Sequence, residues 1–476
     1  MILFLSVYSS DRYDVMMSRE PEGNKKETQQ RDRVPTVSRV LSDGTIVELL
    51  YDAARQTTAL AVWRDGGWTI EAGIKLEGGE HLAPYSPQNN IIRNDVVLLP
   101  SKPSEYGNKE RLLGEIQQFL HRYLDVTSSF EALAVNYVLF TWLYDAFNEV
   151  PYLRLQGDYG TGKTRALLVI GSLCYKPFFA SGASTVSPIF HIIDAFRGTL
   201  VLDEADFRFS DEKAELVKVL NNGTVKGMPV LRTLMNRQRE FNPQAFQVFG
   251  PKLVAMRRSY EDRALESRFL TEVMSGASLR ADIPINLPAS MKDEALALRN
   301  KLLLFRFRNR HTARIDPKAM IAATTPRMNQ ILIPLMSIVD DLAARSAIVS
   351  FAIATQEAIS ADCGLSTEAQ LLEIIGELTG EAHREVVPLL DITDRFRVRF
   401  EADYQRPITP RWIGTVLRQR LHLIPFKRNG RYVLSVIDRR RLATLYERYG
   451  LTPEVNEQMP LWQVDQRHGD VGMAGM

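Results

Sequence analysis

The chain has 476 residues, which is enough for about three domains with separate hydrophobic cores. With 45% hydrophobic and 24% charged residues and a net charge of +2, its composition is that of an ordinary soluble protein and excludes a wholly disordered chain. Its two cysteines show neither disulfide nor zinc-site spacing, which favours the reducing cytoplasm, and no apolar run approaches the roughly 18 residues of a transmembrane helix.

The first 150 residues change character twice. Residues 1–38 are rich in polar and charged residues and are predicted to be disordered. Residues 39–108 contain short alternating apolar runs separated by glycine-rich turns, which predicts a small β-rich domain. Its role is left open between substrate docking and scaffolding of an oligomer. Residues 109–150 then show helical periodicity and lead into the next region.

A phosphate-binding motif follows. Residues 157–164 read GDYGTGKT and match the P-loop pattern G-x-x-x-x-G-K-[ST], between a predicted strand and a predicted helix. The glycines let the backbone approach phosphates, Lys163 can reach the β and γ oxygens, and the Thr164 hydroxyl can bind Mg²⁺. The pattern predicts ATP and Mg²⁺ as cofactors. The nucleotide-binding residues would be Gly157, Asp158, Tyr159, Gly160, Thr161, Gly162, Lys163, Thr164 and Arg165.

An acidic pair lies about forty residues further along. The apolar run 199–202 is typical of a strand buried on both faces, and it ends in Asp203 and Glu204. Carboxylates at this end of a parallel strand face the ligand crevice. Asp203 is therefore predicted to hold Mg²⁺, and Glu204 to polarise the attacking water. A helix cap would need only one of the two. The two motifs together predict nucleoside triphosphate hydrolysis.

The next segments are a predicted hairpin and a further core strand. Residues 230–233 and 246–249 can pair around a basic turn that carries Arg237 and Arg239. Residues 252–256 form another short apolar run, which ends at Arg257.

From about Leu112 to Arg327 the sequence resembles the AAA+ ATPases. It is most similar to superfamily 3 and minichromosome-maintenance helicases and to replication ATPases of phages and mobile elements. Besides the P-loop and the acidic pair, the segments 182–185, 220–224 and 264–269 carry the resemblance. It implies an α/β P-loop core with a parallel sheet over residues 109–273 and a helical lid over 274–360.

The resemblance also implies roles for four arginine sites. Arg257 lies where the family has its γ-phosphate sensor, usually Asn or Thr. Arg268 matches the arginine finger that enters a neighbouring subunit's site, although a local ion pair with Glu266 or Glu272 stays open. Arg327 lies where the lid arginine is found, or on a helix surface. Arg237 and Arg239 would touch DNA phosphates from a channel hairpin, or lie on a solvated turn.

The C-terminal part is basic. Residues 384–448 contain 15 Lys and Arg against 7 Asp and Glu, as expected for a partner that carries phosphates. A helix capped by Thr409, followed by a hairpin around Asn429-Gly430, resembles a winged-helix domain over residues 361–451. Its predicted DNA-binding residues are Arg411, Arg418, Lys427, Arg428 and Arg431. Protein contacts are the alternative, and residues 452–476 are predicted to be disordered.

These features favour an ATP-hydrolysing DNA motor, a hexameric ring that acts as a helicase or replication initiator of a phage or mobile element. Single- and double-stranded DNA are not distinguished. The alternative is a DNA-bound AAA+ switch that does not translocate: an initiator, a transposition regulator or a defence ATPase. A protein-remodelling ATPase is disfavoured, because no aromatic pore loop is evident and the C-terminal region is basic.

Overall fold

The computed structural model describes residues 33–205, 211–235, 241–260, 262–276, 279–364, 367–380, 385–401, 404 and 407–451. These residues form two compact units. The first unit comprises the described residues up to 260, with 268–320 and 330–347. The second comprises residues 262–267 and 321–329 and those from 348 onward. Among the helices of these ranges, none combines the length and the hydropathy needed to cross a membrane.

The chain begins with two small sheets. Strands β2-β3-β4-β5 form an antiparallel sheet, and β7 pairs with β1 in parallel and with β6 in antiparallel orientation. The strands are β1 (Arg33–Thr36), β2 (Ser38–Val40), β3 (Ile46–Asp52), β4 (Thr57–Arg64), β5 (Gly67–Glu71), β6 (Ile74–Lys75) and β7 (His81–Pro84). Strand β1 and the first residue of β2 lie within the segment 1–38 that is predicted to be disordered. Ser38 donates to the buried Glu48 across the β2–β3 pair, a contact that the polar sequence does not reveal. Residues 1–32 lie outside the described residues.

A buried ion cluster joins this β-rich segment to the rest of the first unit. Glu48 lies 2.9 Å from Lys176 and 2.8 Å from Arg306, and Arg306 also bonds to Asp145 at 2.8 Å. Glu48, Lys176 and Arg306 are each 1% exposed. Burial alone would raise the pKa of Glu48, but the two cations hold it below its usual value. The predicted boundary at residue 108 consequently does not separate two compact units.

The core of the first unit is a five-stranded parallel sheet in the order β14-β8-β13-β10-β9. Its three central strands, β8, β13 and β10, are mostly apolar and largely buried, as parallel strands covered on both faces require. The elements from residue 90 to 273 are α1 (Asn90–Arg93), α2 (Lys109–Tyr123), α3 (Ser128–Thr141), a 3₁₀ turn (Tyr144–Ala146), β8 (Tyr152–Gln156), α4 (Lys163–Gly171), β9 (Phe178–Ser181), α5 (Val186–Phe196), β10 (Leu200–Asp203), α6 (Asp211–Asn222), β11 (Val230–Met235), β12 (Phe241–Phe246), β13 (Lys252–Met256), α7 (Arg263–Glu266) and β14 (Phe269–Val273). The predicted α/β core with a parallel sheet fits this arrangement.

The predicted hairpin is present, but its second strand was misplaced. Strands β11 and β12 pair from Val230–Phe246 to Met235–Phe241, so β12 precedes the predicted 246–249. The strand ends at Phe246 because this ring is buried against Phe190, and the next N–H, of Gln247, is bound by the Asp194 carboxylate. The turn with Arg237 and Arg239 lies outside the described residues.

The described residues from 290 onward are mostly helical and include one small antiparallel sheet in the order β15-β17-β16. The elements of this region are α8 (Ser290–Asn309), a 3₁₀ turn (Pro317–Ala319), α9 (Pro326–Met336), α10 (Leu342–Gly364), α11 (Thr367–Gly380), β15 (Val386–Pro388), α12 (Leu389–Phe400), α13 (Pro410–Gln419), β16 (Phe426–Arg428), β17 (Arg431–Ser435) and α14 (Arg439–Arg448). As predicted, Thr409 caps α13, and Asn429 and Gly430 form the tight turn with φ values of 49° and 79°. Helices α11–α14 and the sheet share one hydrophobic core.

Candidate active site

The P-loop connects β8 to α4 as predicted. Gly160 and Gly162 adopt left-handed φ values of 73° and 86°, which favour glycine. At Gly157 a Cβ atom would lie 2.5 Å from the backbone oxygen of Met274, so a side chain does not fit there. The loop therefore presents bare backbone directly before the N-terminus of α4, where the first N–H groups have no partner within the helix.

Lys163 is held within this loop. Its Nζ donates to the backbone oxygens of Gly157 at 2.7 Å and Asp158 at 2.5 Å. The loop thus holds the Lys163 ammonium close to the N–H groups at the start of α4, which can bind an anion. This is the electrostatic arrangement that a triphosphate needs.

The two motifs meet through Thr164 and Asp203. The Thr164 hydroxyl donates to the Asp203 carboxylate at 2.7 Å, although β13 lies between the strands that lead to these residues. A hydroxyl and a carboxylate oxygen this close suit a small, hard cation, since Mg²⁺ prefers oxygen ligands. The residues present therefore fit a magnesium ion at this position.

Glu204 is fixed by its backbone. It has a left-handed φ of 53°, and its N–H is bound by the Asp203 carboxylate at 2.9 Å. The following N–H, of Ala205, donates to Ala255 of β13 at 3.0 Å. Gly182 lies against the backbone of Glu204, because a Cβ atom on Gly182 would be 2.5 Å from the Glu204 carbonyl oxygen. This contact was not predicted, and the place of Gly182 directly after β9 is its one local signal in the sequence.

Arg257 is also brought to the P-loop. It follows β13, the strand between the two motif-bearing strands, and its guanidinium carbon lies 3.6 Å from the centre of the Tyr159 ring. The Gln156 side chain approaches the Arg257 backbone oxygen at 3.5 Å. Two predicted site residues, Arg257 and Tyr159, therefore form one cation–π pair at the loop.

A cavity of about 480 Å³ adjoins the P-loop. Its apolar wall includes Leu124, Val126 and Leu279, and Glu272 supplies a carboxylate that accepts from the Thr127 N–H at 2.8 Å and hydroxyl at 3.0 Å. Burial raises the pKa of Glu272. The predicted nucleotide residue Arg165 lies on the wall, where its guanidinium donates to the backbone oxygens of Tyr123, Pro284 and Ile285.

Arg268 lies at the other edge of the same sheet. It directly precedes β14, its Nε donates to Thr224 at 3.2 Å, and its carbonyl accepts from the first residue of β8. Since the P-loop follows the last residue of β8, the two sites are at opposite ends of one strand. Arg268 therefore does not lie with Lys163, Thr164 and Asp203 at the P-loop of its own chain.

The remaining predicted residues lie in the second unit. Arg327 is in the first turn of α9. The five predicted DNA-binding residues of the C-terminal part are all exposed: Arg411, Arg418, Lys427, Arg428 and Arg431.

No protein-family model matches the chain, and no curated protein matches its sequence. Among solved structures, it is similar to the apo form of the C-terminal region of NrS-1, with 12% identity over 82% of this chain and 96% of that one and a TM-score of 0.33. It is also similar to the ORC1 protein of Aeropyrum pernix in complex with DNA, with 14% identity over 70% and 96% of the chains and a TM-score of 0.21. A ligand-bound JCV Helicase matches with 14% identity over 56% and 64% of the chains and a TM-score of 0.22. TM-scores this low carry no argument about the fold or function of this chain.

Proposed function

We propose that this chain is an AAA+ ATPase that uses ATP hydrolysis to act on DNA. One observation carries the proposal: the 2.7 Å contact between Thr164 of the P-loop and Asp203 of the acidic pair, beside Lys163. A chance glycine loop has no reason to meet a carboxylate at the end of a strand that is not its neighbour.

In this proposal each residue has one task. Lys163 and the loop N–H groups bind the β and γ phosphates, and Thr164 and Asp203 hold Mg²⁺. When bound, Mg²⁺ neutralises phosphate charge. Glu204 orients the attacking water and takes up its proton. Arg257, next to the loop, supplies positive charge as the γ-phosphoryl group departs.

The cavity beside the loop would take the base and ribose. Its volume of about 480 Å³ is within the range of small-molecule sites, and it combines apolar walls with a few polar groups.

Arg268 would act in a second copy, since it is at the opposite end of β8 from the P-loop of its own chain. This division favours a ring of identical subunits, with a hexamer as the expected size.

DNA is proposed as the partner because of the exposed cations in the second unit. We propose a winged-helix arrangement for residues 361–451, in which α13 and the β16–β17 hairpin face the nucleic acid. Helices α8–α10 would provide the lid, with Arg327 as its arginine. A ring helicase or replication initiator of a phage or mobile element is the form we favour.

Turnover of ATP by the purified protein tests the proposal. We expect magnesium-dependent hydrolysis that is lost in Lys163→Ala and in Glu204→Gln, with Glu204→Gln still binding ATP. Lys226→Ala, an exposed lysine far along the chain from the loop, is the control. Absence of magnesium-dependent turnover in wild-type protein, with and without DNA, would refute it. Unwinding of a forked DNA by wild-type protein but not by Lys163→Ala would distinguish a motor from a switch.

A further inference from the structure

The hairpin β16–β17 combines cations and an aromatic ring in a stretch of sequence with no acidic residue. Residues 404–437 contain seven Lys and Arg and no Asp or Glu. Lys427 is paired with Tyr432 across the hairpin, and Arg428 with Arg431 next to the turn. All four side chains are exposed, Tyr432 by 58%. We call these four residues the hairpin patch.

The charges of the hairpin patch differ from those of the preceding helix. On α12, Arg395 and Arg399 pair with Glu377, and Arg397 pairs with Asp394. Within the described part of the chain, Lys427, Arg428 and Arg431 have no carboxylate at ion-pair distance. The second unit thus neutralises the arginines of α12 and leaves those of the hairpin available to an anion outside the protein.

Tyr432 is placed as a stacking surface. Because side chains alternate along a strand, Tyr432 and its cross-strand partner Lys427 share one face of the hairpin, and Arg428 and Arg431 share the other face next to the turn. All four side chains are exposed near the tip of the hairpin. The ring and hydroxyl of Tyr432 make no ring contact or hydrogen bond with any described residue. An exposed tyrosine beside cations presents a π-face to a partner that is itself both aromatic and anionic.

We propose that the hairpin patch binds single-stranded DNA, with Tyr432 stacked on an unpaired base and Lys427, Arg428 and Arg431 on the adjacent phosphates. This inference rests on the proposed action on DNA and adds that the DNA bound by the hairpin patch is single-stranded. Cations alone would serve a duplex equally well. The exposed ring favours a single strand, because the base faces of a duplex are already covered by their neighbours.

Binding of the full-length chain to a labelled oligothymidylate and to a duplex tests the inference. We expect Tyr432→Ala to weaken single-strand binding about tenfold and to leave duplex binding unchanged, whereas Tyr432→Phe keeps the wild-type affinity because it keeps the ring. Lys427→Ala should weaken binding to both and reduce the salt dependence by about one counterion. Trp68→Ala, which removes an exposed aromatic residue of β5, is the matched control.

A second measurement reports base stacking directly rather than affinity. A 2-aminopurine base in the single strand should change its fluorescence on binding wild-type protein and Tyr432→Phe, but not Tyr432→Ala. Equal losses on both DNA forms, or wild-type affinity in Tyr432→Ala, would overturn the stacking role. A changed oligomeric state of Tyr432→Ala with unchanged DNA binding would instead make the patch a protein contact. If the wild-type protein binds neither form of DNA, the proposed action on DNA fails as well. Failure of the stacking role alone would leave DNA binding by the wild-type protein intact.

Discussion

At the scale of single residues, we expect the position of the Glu204 carboxylate to depend on Gly182, which directly follows another strand, β9. The left-handed backbone of Glu204 leaves its carbonyl oxygen where a Cβ on Gly182 would be 2.5 Å away. A methyl group on Gly182 must push this segment of backbone and move the side chain that would orient water. Displacements of about 1 Å near a reacting group cost up to about a hundredfold in rate.

Gly182→Ala should therefore lower kcat for ATP hydrolysis about ten- to a hundredfold, with KM for ATP little changed, because the P-loop is not touched. Steady-state ATPase assays measure both. Gly78→Ala is the matched control, since a Cβ at Gly78 meets no atom within 4 Å. Equal kcat in the two variants would show that Gly182 does not position Glu204.

At the scale of elements, strand β3 is fixed to the core by charges rather than by apolar packing alone. Glu48 lies between Lys176 and Arg306 in the protein interior, and its Oε1 also accepts from the Tyr175 hydroxyl at 2.7 Å. Removing one member of a buried ion cluster leaves the opposite charges unpaired and costs about 3–5 kcal/mol.

Glu48→Gln should lower the free energy of unfolding by roughly that amount. Glu80→Gln removes the carboxylate of the half-exposed Arg39–Glu80 pair in the same segment, and it should cost no more than about 1 kcal/mol. Urea unfolding followed by circular dichroism compares the variants. Similar losses in both would mean that the buried cluster adds nothing beyond a surface pair.

The sequence predicted those elements in which local pattern and chemistry coincide. The strand, glycine loop and helix around Lys163, and the apolar run ending at Asp203, each carry their signal within a few residues. Strand β12 was misplaced because its sequence, which includes Pro243, has no strand-like alternation, and its extent depends on pairing with β11. The pair Arg257–Tyr159 and the contact of Gly182 with Glu204 join residues far apart in sequence, so no local pattern reveals them.

At the scale of the whole molecule, Lys252 is buried in the interior, and within the described residues its ammonium forms hydrogen bonds to backbone oxygens and none to a carboxylate. Lys252 is 1% exposed, and its Nζ donates to the backbone oxygens of Val248 and Gly250 at 3.0 Å each. Burial lowers the pKa of Lys252 to about 7. An unfolded lysine has a pKa near 10.4, so between these values the unfolded chain binds more protons than the folded one.

The free energy of unfolding should therefore rise with pH between about 7 and 10, by at most about 1.4 kcal/mol per pH unit from this group. Lys252→Met should remove this part of the slope, whereas Lys75→Met, at an exposed lysine, should keep it. Urea unfolding at pH 7, 8 and 9 measures the slopes. Equal slopes for wild-type protein and Lys252→Met would contradict the lowered pKa.

In the proposed ring, Arg268 acts in the site of a second copy, because it lies at the opposite end of β8 from the P-loop with Lys163. We expect Arg268→Ala to bind ATP normally and hydrolyse it slowly, by a factor of 10³ or more if it acts as an arginine finger. Mixing it with Glu204→Gln protein should restore part of the activity, because each variant supplies what the other lacks. Full activity of Arg268→Ala alone would eliminate the finger role.

The Glu48 cluster also limits where this protein can be truncated. A shortened version that starts near Lys109 would keep the P-loop and the parallel sheet but lose the carboxylate that lies against Lys176. The ammonium and the Arg306 guanidinium would then face each other inside a hydrophobic interior. We expect such a fragment to misfold and precipitate on expression, so that the parallel sheet with its P-loop cannot be isolated from the small sheets that precede it.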